Sequence, residues 1–140
     1  MAKSAPEISF NVASIDYGTI DVGGSSAEQS YFIFGHGGAT ADSSYARAIN
    51  MSISFKGSYQ ASEPKSEGWV YVSTASENYA AIGSIGDPAG IANEVYLGSI
   101  TAGSTLQSSA LVLTYVSIPA GATAAGHVGF YLHHRYQYTG

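Results

Sequence analysis

Ile49-Asn50-Met51-Ser52-Ile53-Ser54-Phe55 alternates apolar and polar side chains without a break. Successive side chains of a β-strand point to opposite faces of its sheet, so this period of two predicts a strand with one buried and one exposed face. About eight strands separated by turn-rich segments predict an all-β fold, an antiparallel β-sandwich of immunoglobulin-like or jelly-roll type. The other strand-like segments are 7–12, 15–22, 30–34, 68–73, 94–100, 110–118 and 127–138.

Two of these segments carry further information. Segment 110–118 is almost wholly apolar, which is typical of a central strand buried on both faces. Segment 127–138 is the longest and alternates, so it predicts a strand with two different faces. One face would hold Val128, Phe130, Leu132, His134, Tyr136 and Tyr138, and the other His127, Gly129, Tyr131, His133, Arg135 and Gln137.

Length and composition restrict the class of protein. The 140 residues predict a single sandwich domain, 1–140, and the absence of cysteine excludes a disulfide framework. Only 11% of residues are charged and the formal net charge is −5, which argues against nucleic-acid binding and against a polybasic membrane contact. No apolar run reaches the ~18 residues of a membrane span, and the N-terminus has no apolar core of a signal peptide. We therefore expect cytoplasmic synthesis.

The 11 tyrosines and the scarcity of charge indicate a possible interface, because Tyr provides rigid amphipathic area and charges are costly to desolvate. The same composition is also typical of ordinary β proteins. The aromatic side chains could alternatively form a platform that stacks on sugars, or pack within the sheet. The candidate interface residues are Trp69, Tyr71, Tyr79, Tyr131 and Tyr136.

Two connections are long, 35–46 and 74–92. Loops of this length in a small domain are often functional, so 74–92 is the first choice for a partner contact, with a passive crossover between sheets as the alternative.

The usual catalytic motifs are missing: no nucleophile elbow, no phosphate loop and no zinc-binding His pair. His133 and His134 are adjacent on a strand and therefore point to opposite faces, while His127 and His133 lie roughly 20 Å apart along it. We expect a protein that is not an enzyme and that holds no cofactor and no metal.

Two resemblances add to these expectations. The segment Ser14-Ile15-Asp16-Tyr17-Gly18-Thr19-Ile20-Asp21-Val22-Gly23 resembles a strand–turn–strand motif of immunoglobulin-like sandwich modules. In overall texture the chain resembles small β-rich structural proteins of bacteriophage virions, through its few charges, its Ile118-Pro119-Ala120-Gly121-Ala122-Thr123 hinge and its Tyr136-Gln137-Tyr138 ending.

The virion resemblance implies a capsid decoration protein, or otherwise a tail component, located in the virion. Its partners would be capsid or tail subunits and its own copies. A carbohydrate-binding or adhesive module with a glycan ligand is the alternative. Replacing Tyr79 or Trp69 by Ala is expected to weaken assembly without unfolding the monomer.

Overall fold

Eight β-strands form the protein in the computed structural model, which describes residues 8–34, 48–57, 64, 67–75, 78–83, 94–100, 109–123 and 128–138. They are arranged in two antiparallel sheets, so the predicted all-β sandwich is confirmed. The strands are β1 (Ser9–Phe10), β2 (Gln29–Phe34), β3 (Ala48–Gly57), β4 (Val70–Ser73), β5 (Ala80–Ala81), β6 (Glu94–Ile100), β7 (Ser109–Val116) and β8 (Phe130–Tyr138).

The strand order selects between the two predicted sandwich types. One sheet has the order β1-β2-β7-β4-β5 and the other β6-β3-β8. An immunoglobulin-like sandwich keeps strands 1, 2, 5 and 4 together in one sheet, whereas a jelly roll pairs 2-7-4-5 against 1-8-3-6. The observed order is that of a jelly roll, except that β1 pairs with β2 at the edge of the larger sheet instead of with β8.

The core lies between the inner faces of the two sheets, where apolar residues of β2, β3, β4, β6 and β7 are buried. In β3 the apolar residues Met51, Ile53 and Phe55 are buried, as their alternation with serines predicts. They meet Val70 and Val72 of β4 within one cluster of buried side chains. Full burial of such a side chain is worth about 1.5–3 kcal/mol, so this cluster supplies the main drive for folding.

The segment that resembles an immunoglobulin motif, Ser14 to Gly23, contains no strand, so the strand predicted at 15–22 is wrong. Gly18 and Gly23 both have positive φ angles, 82° and 84°, which interrupt extended backbone. The Asp16 carboxylate accepts a hydrogen bond from the N–H of Gly18 at 2.8 Å and stabilises a local turn. The backbone therefore turns at these positions, and at the end of the segment the N–H of Gly23 donates to the carbonyl of Ile118 at 2.9 Å.

Tyr17 nevertheless anchors this segment to the sandwich. Its ring stacks on Phe130 of β8 at 5.7 Å, and its hydroxyl bonds to the hydroxyl of Thr114 in β7 at 3.1 Å. Burial raises the pKa of the Tyr17 hydroxyl. Because β7 and β8 belong to different sheets, one side chain connects both layers.

Most predicted strands are present with shifted ends. Predicted strand 7–12 is reduced to β1, and 127–138 begins only at Phe130. The short β5 was missed; it lies within the predicted connection 74–92, where Ile82 continues it by donating its N–H to Val70. Connection 35–46 and residues 84–92 lie outside the described residues.

Candidate functional site

Strand β7 is central in the larger sheet, between β2 and β4, but only one of its faces is covered. Val112, Thr114 and Val116 are buried, whereas Leu111 on the opposite face is 44% exposed. The prediction that segment 110–118 is buried on both faces is therefore wrong for the single chain. A central strand with apolar side chains on both faces and a cover on only one leaves an apolar surface in contact with water.

The neighbouring strands extend this surface. Phe32 of β2, which is 41% exposed, lies directly opposite Leu111 in the ladder, and Tyr71 of β4 lies opposite Tyr115 of β7. We call this outer surface of the larger sheet the aromatic face. It consists of Phe32, Tyr71, Tyr79, Leu111, Leu113 and Tyr115.

Three tyrosines of the aromatic face contact one another. The rings of Tyr71 and Tyr115 stack in parallel with centroids 5.0 Å apart, and Tyr79 meets Tyr115 edge to face at 4.8 Å. The Tyr79 hydroxyl donates a hydrogen bond to the carboxylate of Glu28. Desolvation, followed by the hydrogen bond and charge of Glu28, raises the pKa of Tyr79. The cluster is thus held in place before any partner arrives, which lowers the entropy lost on binding.

The outer face of the smaller sheet is different in chemistry. Asn50 of β3 donates from its amide to Gln137 of β8 at 3.0 Å and receives the Tyr96 hydroxyl of β6 at 3.3 Å. Asn50 has a φ of 54°, a left-handed conformation that is uncommon outside Gly but that Asn tolerates. It lies where β3 shifts register against both neighbours, as expected of a β-bulge. We call this surface the polar face.

An ion pair crosses the polar face. Arg135 of β8 contacts Glu94 of β6 through two nitrogen–oxygen distances of 2.5 and 2.6 Å, over the strand between them. This bidentate pairing raises the pKa of the exposed Arg135. The charges of Arg135 and Glu94 therefore neutralise each other across β3.

A polar pair joins the two sheets on the inner side of β8. The Tyr31 hydroxyl of β2 lies 2.6 Å from Nε2 of His134 in β8, and Phe10 contacts both rings. Burial, with a smaller contribution from His133, lowers the pKa of His134 to about 4, although a hydrogen bond to the carbonyl of Leu132 opposes this. Burial also raises the pKa of Tyr31. Both groups are therefore neutral near pH 7, and the pair connects the sheets rather than carrying charge.

The five predicted interface residues lie in different places. Tyr71 and Tyr79 lie together on the aromatic face through their shared neighbour Tyr115. Tyr131 is 61% exposed on the outer side of β8, and Tyr136 is half-buried against the core. The five residues therefore do not form one surface.

Trp69 lies in the core and not at an interface. It precedes β4 and is only 4% exposed, and its indole N–H donates to Glu67 at 2.9 Å. Its carbonyl accepts the N–H of Ser117. Trp69 is a core residue, and its replacement by Ala would disturb the fold, contrary to the sequence-based expectation.

Sequence reasoning missed Phe32, Leu111, Leu113 and Tyr115. A signal was present, because segment 110–118 is apolar at the positions of both faces while a two-layered sandwich covers only one face of each sheet. The expectation that this second apolar face needs a cover from outside the chain would alone have identified the aromatic face.

Several chemistries find no support among the residues that the structure describes. No three His, Asp or Glu side chains there are grouped so that they could hold a metal ion. Within the same residues, no helix is long and apolar enough to cross a membrane. No protein-family model matches the chain, and no curated protein matches it.

Proposed function

We propose that this chain is a non-enzymatic structural subunit of a virion, which binds an assembled capsid through the aromatic face and stabilises it. The observation that carries the proposal is the exposed apolar side of the central strand β7, with Leu111 opposite Phe32. Exposed apolar patches mark interaction sites, and interface cores are rich in Tyr and poor in charge.

The mechanism would be mass action. A protein that binds the assembled shell, and not its separate subunits, stabilises the shell by the free energy of binding. Tyr71, Tyr79 and Tyr115 would act as rigid anchors, because their mutual ring contacts restrict them before binding. The partner surface would be apolar and low in charge.

The virion role is tested by separating the native source on a density gradient and following this chain by mass spectrometry. Co-migration in stoichiometric amounts with a large particle filled with nucleic acid is expected, and imaging would then distinguish capsid from tail. Recovery only in the low-mass fraction would refute the virion role.

The docking surface is tested separately, with Leu111→Lys and Tyr115→Ala. Both are expected to reduce particle binding at least tenfold, since each removes a central apolar contact. Tyr131→Ala is the control, because it removes an exposed aromatic residue on the outer side of the other sheet. Equal particle binding by all three variants would exclude the aromatic face as the contact.

A carbohydrate-binding or adhesive module is the alternative, and the polar face favours it. Its exposed Tyr96 and Tyr131 lie on the same face as the amides of Asn50 and Gln137, and sugars are bound by such combinations of aromatic rings and amides. A glycan that raises the melting temperature of the wild-type protein, but not of Asn50→Ala, would support this alternative.

A further inference from the structure

Strand β8 has a long free edge. In the order β6-β3-β8 it pairs with β3 on one side, and on its other side no strand of the described chain pairs with it. Of the other sheet edges, β1 and β5 are two residues long, and β6 is interrupted by Gly98 with a φ of 102°. Natural proteins shorten, bend or charge such edges to prevent uncontrolled pairing. The nine residues of β8 include no Lys and no Pro.

The direction of the backbone groups shows which ones face outward. The N–H of Phe55 in β3 donates to Gly83, so the groups of Phe55 point away from β8, and those of its neighbour Ser54 point toward it. Ser54 lies opposite His133, so the odd-numbered residues of β8 are bonded to β3. The N–H and C=O groups of Phe130, Leu132, His134 and Tyr136 therefore point outward. Of these, the carbonyl of Leu132 is engaged by the His134 ring.

The strand order shows which neighbour this edge of β8 would have in a complete jelly roll. In a complete jelly roll the first strand lies beside the last and pairs with it. Here β1 pairs with β2, while Phe10 of β1 contacts the ring of His134 and Tyr17 of the segment that follows stacks on Phe130. Among the described residues, no strand therefore lies beside β8 on this edge of the smaller sheet.

There is also space along this edge. A groove of about 430 Å³ is lined by residues from both faces of β8, including Tyr131 and Tyr136, together with Ile8 and Phe10. A groove that reaches both faces of one strand follows the strand's edge. An added strand there would have apolar contacts on its inner side.

We propose that β8 pairs antiparallel with β8 of a second copy of this chain, about a two-fold axis at His134. The strand matches itself in this register, in which all nine residues are paired. Cross-strand partners would be Phe130 with Tyr138 and Leu132 with Tyr136 on the inner side, and Tyr131 with Gln137 on the outer side.

Charge does not oppose the pairing. Arg135 would lie beside His133 of the other copy, and the charge of Arg135 is neutralised by Glu94 of its own chain. No carboxylate is present in β8. The resulting contact is isologous and closes on itself, so it produces a dimer and not a fibre. The two smaller sheets would become one continuous sheet, and both aromatic faces would remain free.

Introduced cysteines test the pairing sharply, because the chain has no cysteine of its own. Residues 131 and 137 of opposite copies would form a non-hydrogen-bonded pair, with Cα atoms about 4.5 Å apart, within the range of a disulfide. Within one copy they are six residues apart, roughly 20 Å. Two copies of position 131 would be separated by a similar distance.

The experiment mixes Tyr131→Cys protein with Gln137→Cys protein under mild oxidation. A disulfide-linked dimer is expected from the mixture and not from either variant alone. The wild-type protein is expected to sediment at about 29 kDa, twice the 14.5 kDa of one chain.

Three outcomes would overturn the proposal. A monomeric wild type would mean that the β8 edge is covered within one chain or left free. A dimer without the mixed disulfide would mean that another surface pairs the copies, and loss of that dimer in Leu111→Lys would identify the aromatic face. Equal cross-linking of either single variant would reveal random thiol contact. A dimer through the aromatic face would compete with particle binding by that face, whereas the virion role itself is tested independently on the density gradient.

Discussion

The pair of Tyr31 and His134 predicts a specific dependence of stability on pH. The pKa of His134 is lowered from 6.5 to about 4 in the folded protein, mainly by burial. Between these two values the unfolded chain binds a proton that the folded chain does not. Stability therefore is at its full value above pH 6.5 and falls as the pH decreases toward 4.

The size of the effect follows from the difference in pKa. One pKa unit corresponds to 1.36 kcal/mol, so the shift of His134 amounts to roughly 3 kcal/mol. The other groups around the ring are the Tyr31 hydroxyl, the Phe10 ring, the Leu132 carbonyl and the exposed His133. No carboxylate that bonds to His134 is present among the described residues, so protonation would leave a buried cation without an anionic partner.

Urea unfolding at a series of pH values from 7.5 to about 4 measures this contribution of His134 to the free energy of unfolding. The ten carboxylates of the chain also titrate toward the lower end of this range, so the comparison is made with His134→Gln. Gln accepts from Tyr31 and donates to Leu132 but does not titrate. The free energy of unfolding of the wild type is expected to fall by roughly 3 kcal/mol more than that of His134→Gln over this range.

His133→Gln is the matched control, because it removes the neighbouring exposed histidine and leaves the buried pair intact. It is expected to follow the wild type. If His134→Gln lost stability with pH as steeply as the wild type, burial of a neutral His134 would be refuted, and the acid sensitivity would belong to the carboxylates.

Three further predictions concern stability and surface properties. Trp69→Ala should lower the free energy of unfolding by about 3–5 kcal/mol in urea titrations, because it empties a core site, and a loss below about 1 kcal/mol would contradict its burial. Asn50→Ala should be less stable than Asn50→Gly by about 1 kcal/mol in thermal melts, since Ala at a φ of 54° is strained, and the reverse order would contradict the bulge. Leu111→Thr should leave the melting temperature within about 2 °C of wild type while reducing binding of a hydrophobic fluorescent dye, and an unchanged dye signal would exclude the aromatic face as its site.

The sequence predicts those strands whose period of two matches a single buried face. β3 and β6 appear where the alternation places them, because the inward apolar residues Ile53 and Val95 have no other place to be buried. β5 could not be predicted, since Ala80 and Ala81 carry neither alternation nor bulky side chains. It exists because β4 offers it a partner, which is a tertiary effect.

The strand predicted around Tyr17 does not form, for a related reason. Its β-branched and aromatic residues favour a strand, but two glycines with positive φ and a turn closed by Asp16 direct the backbone elsewhere. Local composition does not reveal that Tyr17 will instead insert between the sheets. The candidate site was predicted in part, through Tyr71 and Tyr79, because nothing in the sequence separates an exposed aromatic residue from a buried one such as Trp69.

Two parts of this sandwich are incomplete among the described residues: the edge of β8 and the outer face of β7. A complete jelly roll satisfies its edge strands within the chain, and a central strand that is apolar on both faces needs a layer on each side. Among the described residues, β8 has no neighbour where β1 would lie, and the outer side of β7 leaves Leu111 44% exposed. The first deficit is one of backbone hydrogen bonds and the second one of apolar burial. Under the two proposals above, a strand from another copy would meet the first and an apolar protein surface would meet the second, so pairing of the chain with itself and binding to a larger assembly would use separate and compatible surfaces.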